Sequence, residues 1–183
     1  MQDWVFLYTI TEQEYLDFNE HHLRKTPAGK KVVLKLRLMA AFIPILLLPL
    51  VFLLDTYAVV KVIQIAVIVA FSLIWYFTSI RRMLNATKRA LKKQKPEDRL
   101  YSSQGQLVFD FENGIIIDTG EKAEVRVLFS NIIMCYETQY MFIFYFGTNR
   151  AIMLPYRLFN CAEDLYEFKS IIHSIFPCEY SQH

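Results

Sequence analysis

Glycine is scarce in this chain, at five of 183 residues, and no stretch carries the glycine-rich loops that cradle nucleotide phosphates. Neither a zinc-hydrolase pattern nor a nucleophile elbow is present. Cys135, Cys161 and Cys178 stand too far apart for a CxxC pair. An odd count on the cytoplasmic side predicts reduced, buried thiols rather than a disulfide. Cys161 falls at a predicted helix start, but without a histidine partner it reads as a buried or capping residue. Histidine occurs four times, at 21, 22, 173 and 183, and only Asp17 and His21 share a helical ligand spacing. Two ligands are too few for a metal. No catalytic, cofactor-binding or metal residue is expected, and the chain reads as non-enzymatic. The opening Met1-Gln2-Asp3-Trp4 also lacks the basic start and apolar core of a signal peptide.

The absence that decides most is of charge. Residues 38–54 and 62–80 contain no charged side chain. A bilayer core of about 30 Å needs about 20 helical residues, so both runs are long enough to span it. The first run extends to residue 33 if its basic residues snorkel, which predicts a hairpin over 33–80 with spans at 33–54 and 60–80. Pro44 and Pro49 fall inside the first span and predict a kink. Neither charge-free run holds an acidic or basic residue, which points to an anchor rather than an ion path. Ala40, Ala41, Ala66 and Ala70 offer small surfaces for helix packing, within the hairpin or in a homo-oligomer.

Lysine and arginine crowd the outer flanks of the hairpin. Arg24, Lys25, Lys30, Lys31, Lys35 and Arg37 precede its first charge-free run, and Arg81, Arg82, Lys88, Arg89, Lys92, Lys93, Lys95 and Arg99 follow its second. The connecting loop has Lys61 offset by Asp55. The positive-inside rule predicts a multi-pass protein of the cell membrane with both termini cytoplasmic. The segment 81–99 reads as a basic juxtamembrane helix, and Arg81, Arg82, Lys88, Arg89, Lys92, Lys93 and Lys95 are candidate contacts for anionic lipid.

Outside the hairpin, residues 4–10 read as a strand. Thr11-Glu12-Gln13-Glu14 then fits a capping box that opens an amphipathic helix, closed near Pro27. This segment, 1–32, is expected to pack on the C-terminal domain, 100–183, because an isolated strand is unstable in water. Strand patterns recur from residue 100, punctuated by Asn113-Gly114 and the turn at 118–122. An amphipathic helix follows, with Leu165, Phe168, Ile172 and Ile175 on one face and Pro177 as its stop. The expected fold class is an α+β membrane protein. It combines a two-helix transmembrane hairpin with a cytoplasmic, pleckstrin-homology-like antiparallel β-barrel capped by the C-terminal helix. The turns at 112–114 and 118–122 lean acidic, which speaks against specific phosphoinositide binding. The strand 140–146 is apolar on both faces, and Tyr140, Phe142, Phe144 and Phe146 are a candidate partner surface.

With these elements in place, the chain resembles the YcxB-like family of bacterial membrane proteins. The resemblance rests on the opening 8–15 (YTITEQEY), the two spans, and Phe111-Glu112-Asn113-Gly114-Ile115. It continues in Phe129-Ser130-Asn131-Ile132 and the exit 152–159 (IMLPYRLF). It implies a two-span anchor carrying a cytoplasmic pleckstrin-homology-like domain, and it brings no catalytic residue. The expected function is a membrane-anchored interaction module without enzymatic activity. Its expected partners are the bilayer, anionic lipids and a protein, but no nucleic acid. The alternative is a small accessory subunit of a transport, export or envelope stress-response complex.

Overall fold

A computed structural model describes residues 3–53, 57–93, 104–120, 123–148 and 150–180. The described chain divides into two units, one joining the residues up to Phe18 with those after Lys93, the other being Asn19–Lys93. In chain order the elements are β1 (Trp4–Tyr8), α1 (Glu12–Lys25), α2 (Pro27–Leu53), α3 (Ala58–Lys93), β2 (Gly105–Asp110), β3 (Ile115–Thr119) and β4 (Glu124–Leu128). After these come β5 (Met134–Glu137), β6 (Met141–Gly147), β7 (Arg150–Pro155), α4 (Ala162–Ile175) and β8 (Cys178–Tyr180).

The strands form two four-stranded sheets, ordered β1-β2-β3-β4 and β7-β6-β5-β8. Among the described residues no pairing joins the sheets, so the expected closed barrel is not formed. The N-terminal strand lies in the first sheet, antiparallel to β2, with Trp4 opposite Phe109 and Tyr8 opposite Gly105. Alternation then sends Phe6, Leu107, Phe109 and Ile116 inward, where they meet Phe142, Phe144, Ile152 and Leu154 of the second sheet. Helix α4 closes this core with Phe168, which is fully buried. Ring centroids of Phe109, Phe159, Trp4 and Phe6 lie 5.0, 5.2, 5.5 and 5.8 Å from its own. The predicted apolar stripe ends early, for Ile175 is exposed and the buried residue there is Phe176.

Two local devices hold α1. At its start the capping box forms in full, with the Glu14 amide donating to Thr11 Oγ1 at 3.2 Å and the Thr11 amide to Glu14 at 2.8 Å. Arg157, just after β7, donates from Nε to Glu14 at 2.6 Å and also to the Thr9 carbonyl. At the other end the chain bends at Thr26 and restarts at once, so the apolar helix begins at Pro27 rather than at residue 33. Thr26 Oγ1 accepts from the Gly29 amide at 3.0 Å, and proline occupies the first turn, where its missing N–H costs nothing. A Cβ at Gly29 would sit 2.0 Å from the His22 carbonyl oxygen, so no larger residue fits this bend.

Two features add to the expectations and one expectation is corrected. The second span and the basic segment are one helix: α3 runs unbroken to Lys93, with no proline or glycine to interrupt it. A short strand, β8, follows Pro177 and pairs in parallel with β5. Its first residue, Cys178, is disulfide-bonded to Cys135, across Cα atoms 4.5 Å apart. Register places the two opposite each other on the core side of the ladder, which overrides the compartment argument for free thiols. Cys161 alone is free, and it is exposed rather than buried.

Lys169, one position round from Phe168, is held by Glu137 at 2.7 Å and lies 4.4 Å over the Tyr156 ring. Phe168→Ala is expected to cost ~3–5 kcal/mol. Lys169→Ala leaves Glu137 with one partner and is expected to cost about 1–3 kcal/mol. Pulse proteolysis of the full chain in detergent should rank the two in that order. Equal protection of both variants would mean that Phe168 is not the centre of the core.

Candidate functional site

The basic segment of α3 has a clear geometry. At 100° per residue, Arg81, Arg82, Lys88, Arg89, Lys92 and Lys93 fall within an arc of about 140°. All six are exposed. Met83, Leu84, Thr87 and Leu91 take the opposite side, and Leu91 is buried. No acidic residue interrupts the helix, so among the described residues of α3 the six exposed cations form one strip without an intervening carboxylate. Lys95 lies outside the described residues.

Helices α2 and α3 are long and apolar enough to cross a membrane, with mean hydropathies of 2.4 and 2.3 in their best windows and only 11% and 6% of those windows buried. A helix in the core of a soluble domain would be largely covered. Ala40 is buried, whereas Ala41, Ala66 and Ala70 are exposed. Near the basic end, the Arg82 guanidinium lies 4.3 Å over Trp75 and that of Arg37 lies 4.8 Å over Tyr76. Amphipathic rings paired with cations suit the headgroup level of a bilayer. Tyr57, just before α3 at its other end, is 86% exposed. At 1.5 Å per residue it lies about 28 Å along the axis from Tyr76, close to one hydrocarbon thickness. Between them Ser72 donates to the Ile68 carbonyl at 2.9 Å, and just beyond Tyr76 Thr78 donates to the Ile74 carbonyl at 2.6 Å.

The strand expected to present a partner surface is β6, and the structure spends both its faces internally. Phe142 and Phe144 have no exposed area and belong to the core. On the other face Met141, Ile143 and Tyr145 are also buried, with Phe18 of α1 stacked 6.1 Å from Tyr145. Phe146 is half-buried, and Tyr140, which precedes the strand, is exposed. The four residues therefore form no common surface.

Sequence reasoning missed a cleft at the seam between the sheets. It encloses about 340 Å³ and is lined by Ile10, Phe18, Asp118, Val125, Arg150 and Ile152 among others. At one wall Tyr8 donates its phenol to Asp118 Oδ1 at 2.6 Å, reaching from β1 across β2 to β3. It can do so because the strand between offers Gly105, where a Cβ would stand 2.8 Å from the ring. Burial raises the Asp118 carboxyl above its ordinary value, against the lowering effect of the Tyr8 hydrogen bond. The pair ties β1 to β3 across the strand between them. The one signal in the sequence was a tyrosine on an inward strand position.

A second polar cluster fastens α4 to the second sheet. Glu137, buried at the end of β5, accepts from Lys169 at 2.7 Å and from His173 Nε2 at 2.8 Å. Burial alone would raise its carboxyl, but the Lys169 and His173 contacts outweigh this and hold it below its ordinary value. Cys161 caps α4, its sulfur accepting from the Asp164 amide at 3.4 Å. That bond lowers the thiol, yet the Asp164 and Glu163 carboxylates outweigh it and leave the thiol raised, the opposite of an activated nucleophile. Among the described residues no three His, Cys, Asp or Glu side chains gather as a metal site.

The chain thus holds a strand-rich unit closed by α4 and, as a separate unit, two exposed apolar helices. Residues 111–172 match the family model described as YcxB-like protein. This segment is similar to that family, over about a third of the chain. The YcxB-like stretch runs from the β2–β3 turn through β7 to Ile172, and so includes Phe168 and the Glu137–Lys169 contact. The strands β1 and β2 and both apolar helices lie outside it. No curated protein and no solved structure matches the chain.

The Glu137 cluster sets an acid limit on this YcxB-like unit. With its folded value below the ordinary 4.5, Glu137 contributes fully above that pH, and the contribution is lost as pH falls through the folded value. Denaturation midpoints measured from pH 6 to pH 3 should fall more steeply for the parent protein than for Glu137→Gln, which starts lower. Parallel curves would show that Glu137 gains nothing from its two partners.

Proposed function

We propose that the protein is a non-enzymatic interaction module, anchored in the cell membrane by α2 and α3 and holding a pleckstrin-homology-like unit at the cytoplasmic face. Anionic headgroups meet the membrane-proximal end of the basic strip, and a protein partner meets the module beyond it. Support for the anchor comes from a topological constraint as well as from hydropathy. Since β1 and β2 are neighbours in one sheet, the chain between them must return to the side it left. Two crossings satisfy this and one does not. The excess of lysine and arginine at that end of both helices then selects the cytoplasm.

The observation that carries the reading is the continuity of α3 from apolar run to basic face. An unbroken helix cannot lay its basic end flat on the bilayer, so the charges stand off from it in sequence. Counted from Ile80 at 1.5 Å per residue, Arg81 and Arg82 lie within about 3 Å, and Lys92 and Lys93 about 18–20 Å away. The Debye length at physiological salt is about 8 Å, so lipid attraction acts on the first pair and is screened at the last.

At about 1 kcal/mol per basic residue, Arg81→Gln with Arg82→Gln should remove about 2 kcal/mol, a loss of roughly thirty-fold in preference for anionic lipid. Lys92→Gln with Lys93→Gln should change it little. Native mass spectrometry of lipids retained from nanodiscs of mixed phosphatidylglycerol and phosphatidylcholine reads this directly. Equal loss in both variants would sink the upright-helix reading.

A further inference from the structure

Among the described residues, β8 is joined to the sheet by the Cys135–Cys178 bond and by its short pairing with β5. β8 has three residues, pairs in parallel along β5 alone, and leaves Glu179 and Tyr180 exposed. Parallel pairing is the weaker kind, and a three-residue edge without cover does not persist by itself. Its neighbour upstream is anchored independently. Phe176 is buried in the core, and its amide is held by the Ile172 carbonyl at 2.8 Å, so release of β8 would stop at Pro177. The sulfurs differ in access as well, for Cys135 is 2% exposed whereas Cys178 is half-buried at the rim.

We propose that Cys135 and Cys178 are a thiol–disulfide exchange site, with a low-molecular-weight thiol of the glutathione class as reductant, which releases β8 from the β5 edge and re-docks it on oxidation. The inference rests on the cytoplasmic placement proposed above, because that compartment keeps accessible disulfides under reducing pressure. An external thiolate attacks Cys178 Sγ. The sulfur–sulfur bond breaks, and its electron pair leaves on Cys135 Sγ, which takes up a proton. A second external thiol attacks the mixed disulfide and leaves joined to the first, returning Cys178 as a thiol. Two electrons and two protons pass to the protein. The disulfide form of the same reagent reverses each step. Opening leaves residues 135–137 with unpaired backbone donors and acceptors on an edge that was closed, beside the Glu137–Lys169–His173 cluster.

The test uses the full chain in nanodiscs with Cys161→Ser, so that a single cysteine pair remains, equilibrated in mixtures of reduced and oxidised glutathione. Alkylation and intact mass count the thiols, and hydrogen exchange reports the strands. Passage from no free thiol to two is expected, with exchange at least tenfold faster at 135–137 and 178–180 in the reduced form and unchanged at 141–147. Adding Cys178→Ser should give the fast pattern in every mixture. Equal exchange in the two redox states would overturn the clasp, as would a disulfide that survives excess reduced glutathione. Separately, the native chain in intact cells should keep Cys161 out of reach of a membrane-impermeant maleimide. Labelling there overturns the cytoplasmic placement and leaves the exchange result in nanodiscs to stand or fall alone.

Discussion

The antiparallel pairing of β1 with β2 is the contact on which the rest of the structure depends. It joins residues 4–8 to residues 105–109, and everything between them is an excursion that must return to its starting point. The loop entropy of such an excursion grows only logarithmically with length, and a helical hairpin shortens the effective loop further. Against that cost stand Phe6, buried in the core, and Trp4 and Tyr8, packed at its margin. A fully buried large side chain contributes ~1.5–3 kcal/mol. Without β1, the inner faces of β2 and α4 would lose the aromatic contacts of Trp4 and Phe6. For a hairpin that crosses a bilayer, the same pairing would admit only an even number of crossings.

The second sheet is organised differently. Its core face meets the first sheet and α4, and its outer face is covered by Phe18 of α1. Thus α1 serves the strands after it as much as the helices that follow, and the Arg157–Glu14 contact closes its first turn onto the segment after β7. At the far edge, Glu137 draws α4 inward through its contacts with Lys169 and His173, and the disulfide fastens β8 beside it. The unit is therefore covered by its own chain on the faces that looked most available for a partner, and the exposed basic strip belongs to α3.

How much of this could be read beforehand depended on the range of the physics involved. The capping box at Thr11 and Glu14, the two uncharged runs and the inward side of α4 around Phe168 follow from neighbours in sequence, and all were legible. The N-terminal strand was placed on the sheet because an unpaired strand needs one. The strip on α3 was recognised as a charge cluster, while its single-sided geometry required the helix to be unbroken from Ala58 to Lys93. β8 escaped notice because three residues after a proline carry no periodic signal. The disulfide escaped because compartment was weighed before register, and only register brings Cys135 and Cys178 opposite each other. In β6, alternation was absent for the reason that both faces are covered, but the cover comes from Phe18, more than 120 residues upstream. Tyr8 reaching Asp118 over Gly105 depends on three strands at once, which no local pattern encodes.

The central claim is that α2 and α3 cross a bilayer as a pair and bring both ends of the chain to one side. Cysteine-accessibility mapping tests it most directly. A Tyr57→Cys variant, at the exposed residue just before α3, is treated in intact cells with a membrane-impermeant maleimide and compared with the parent chain. Tyr57→Cys should label rapidly before lysis, and the exposed Cys161 should label only after it. Labelling of Cys161 with protection of position 57 would invert the protein in the membrane. Equal labelling of both before and after lysis, or recovery of the chain in the soluble fraction, would contradict the hairpin itself.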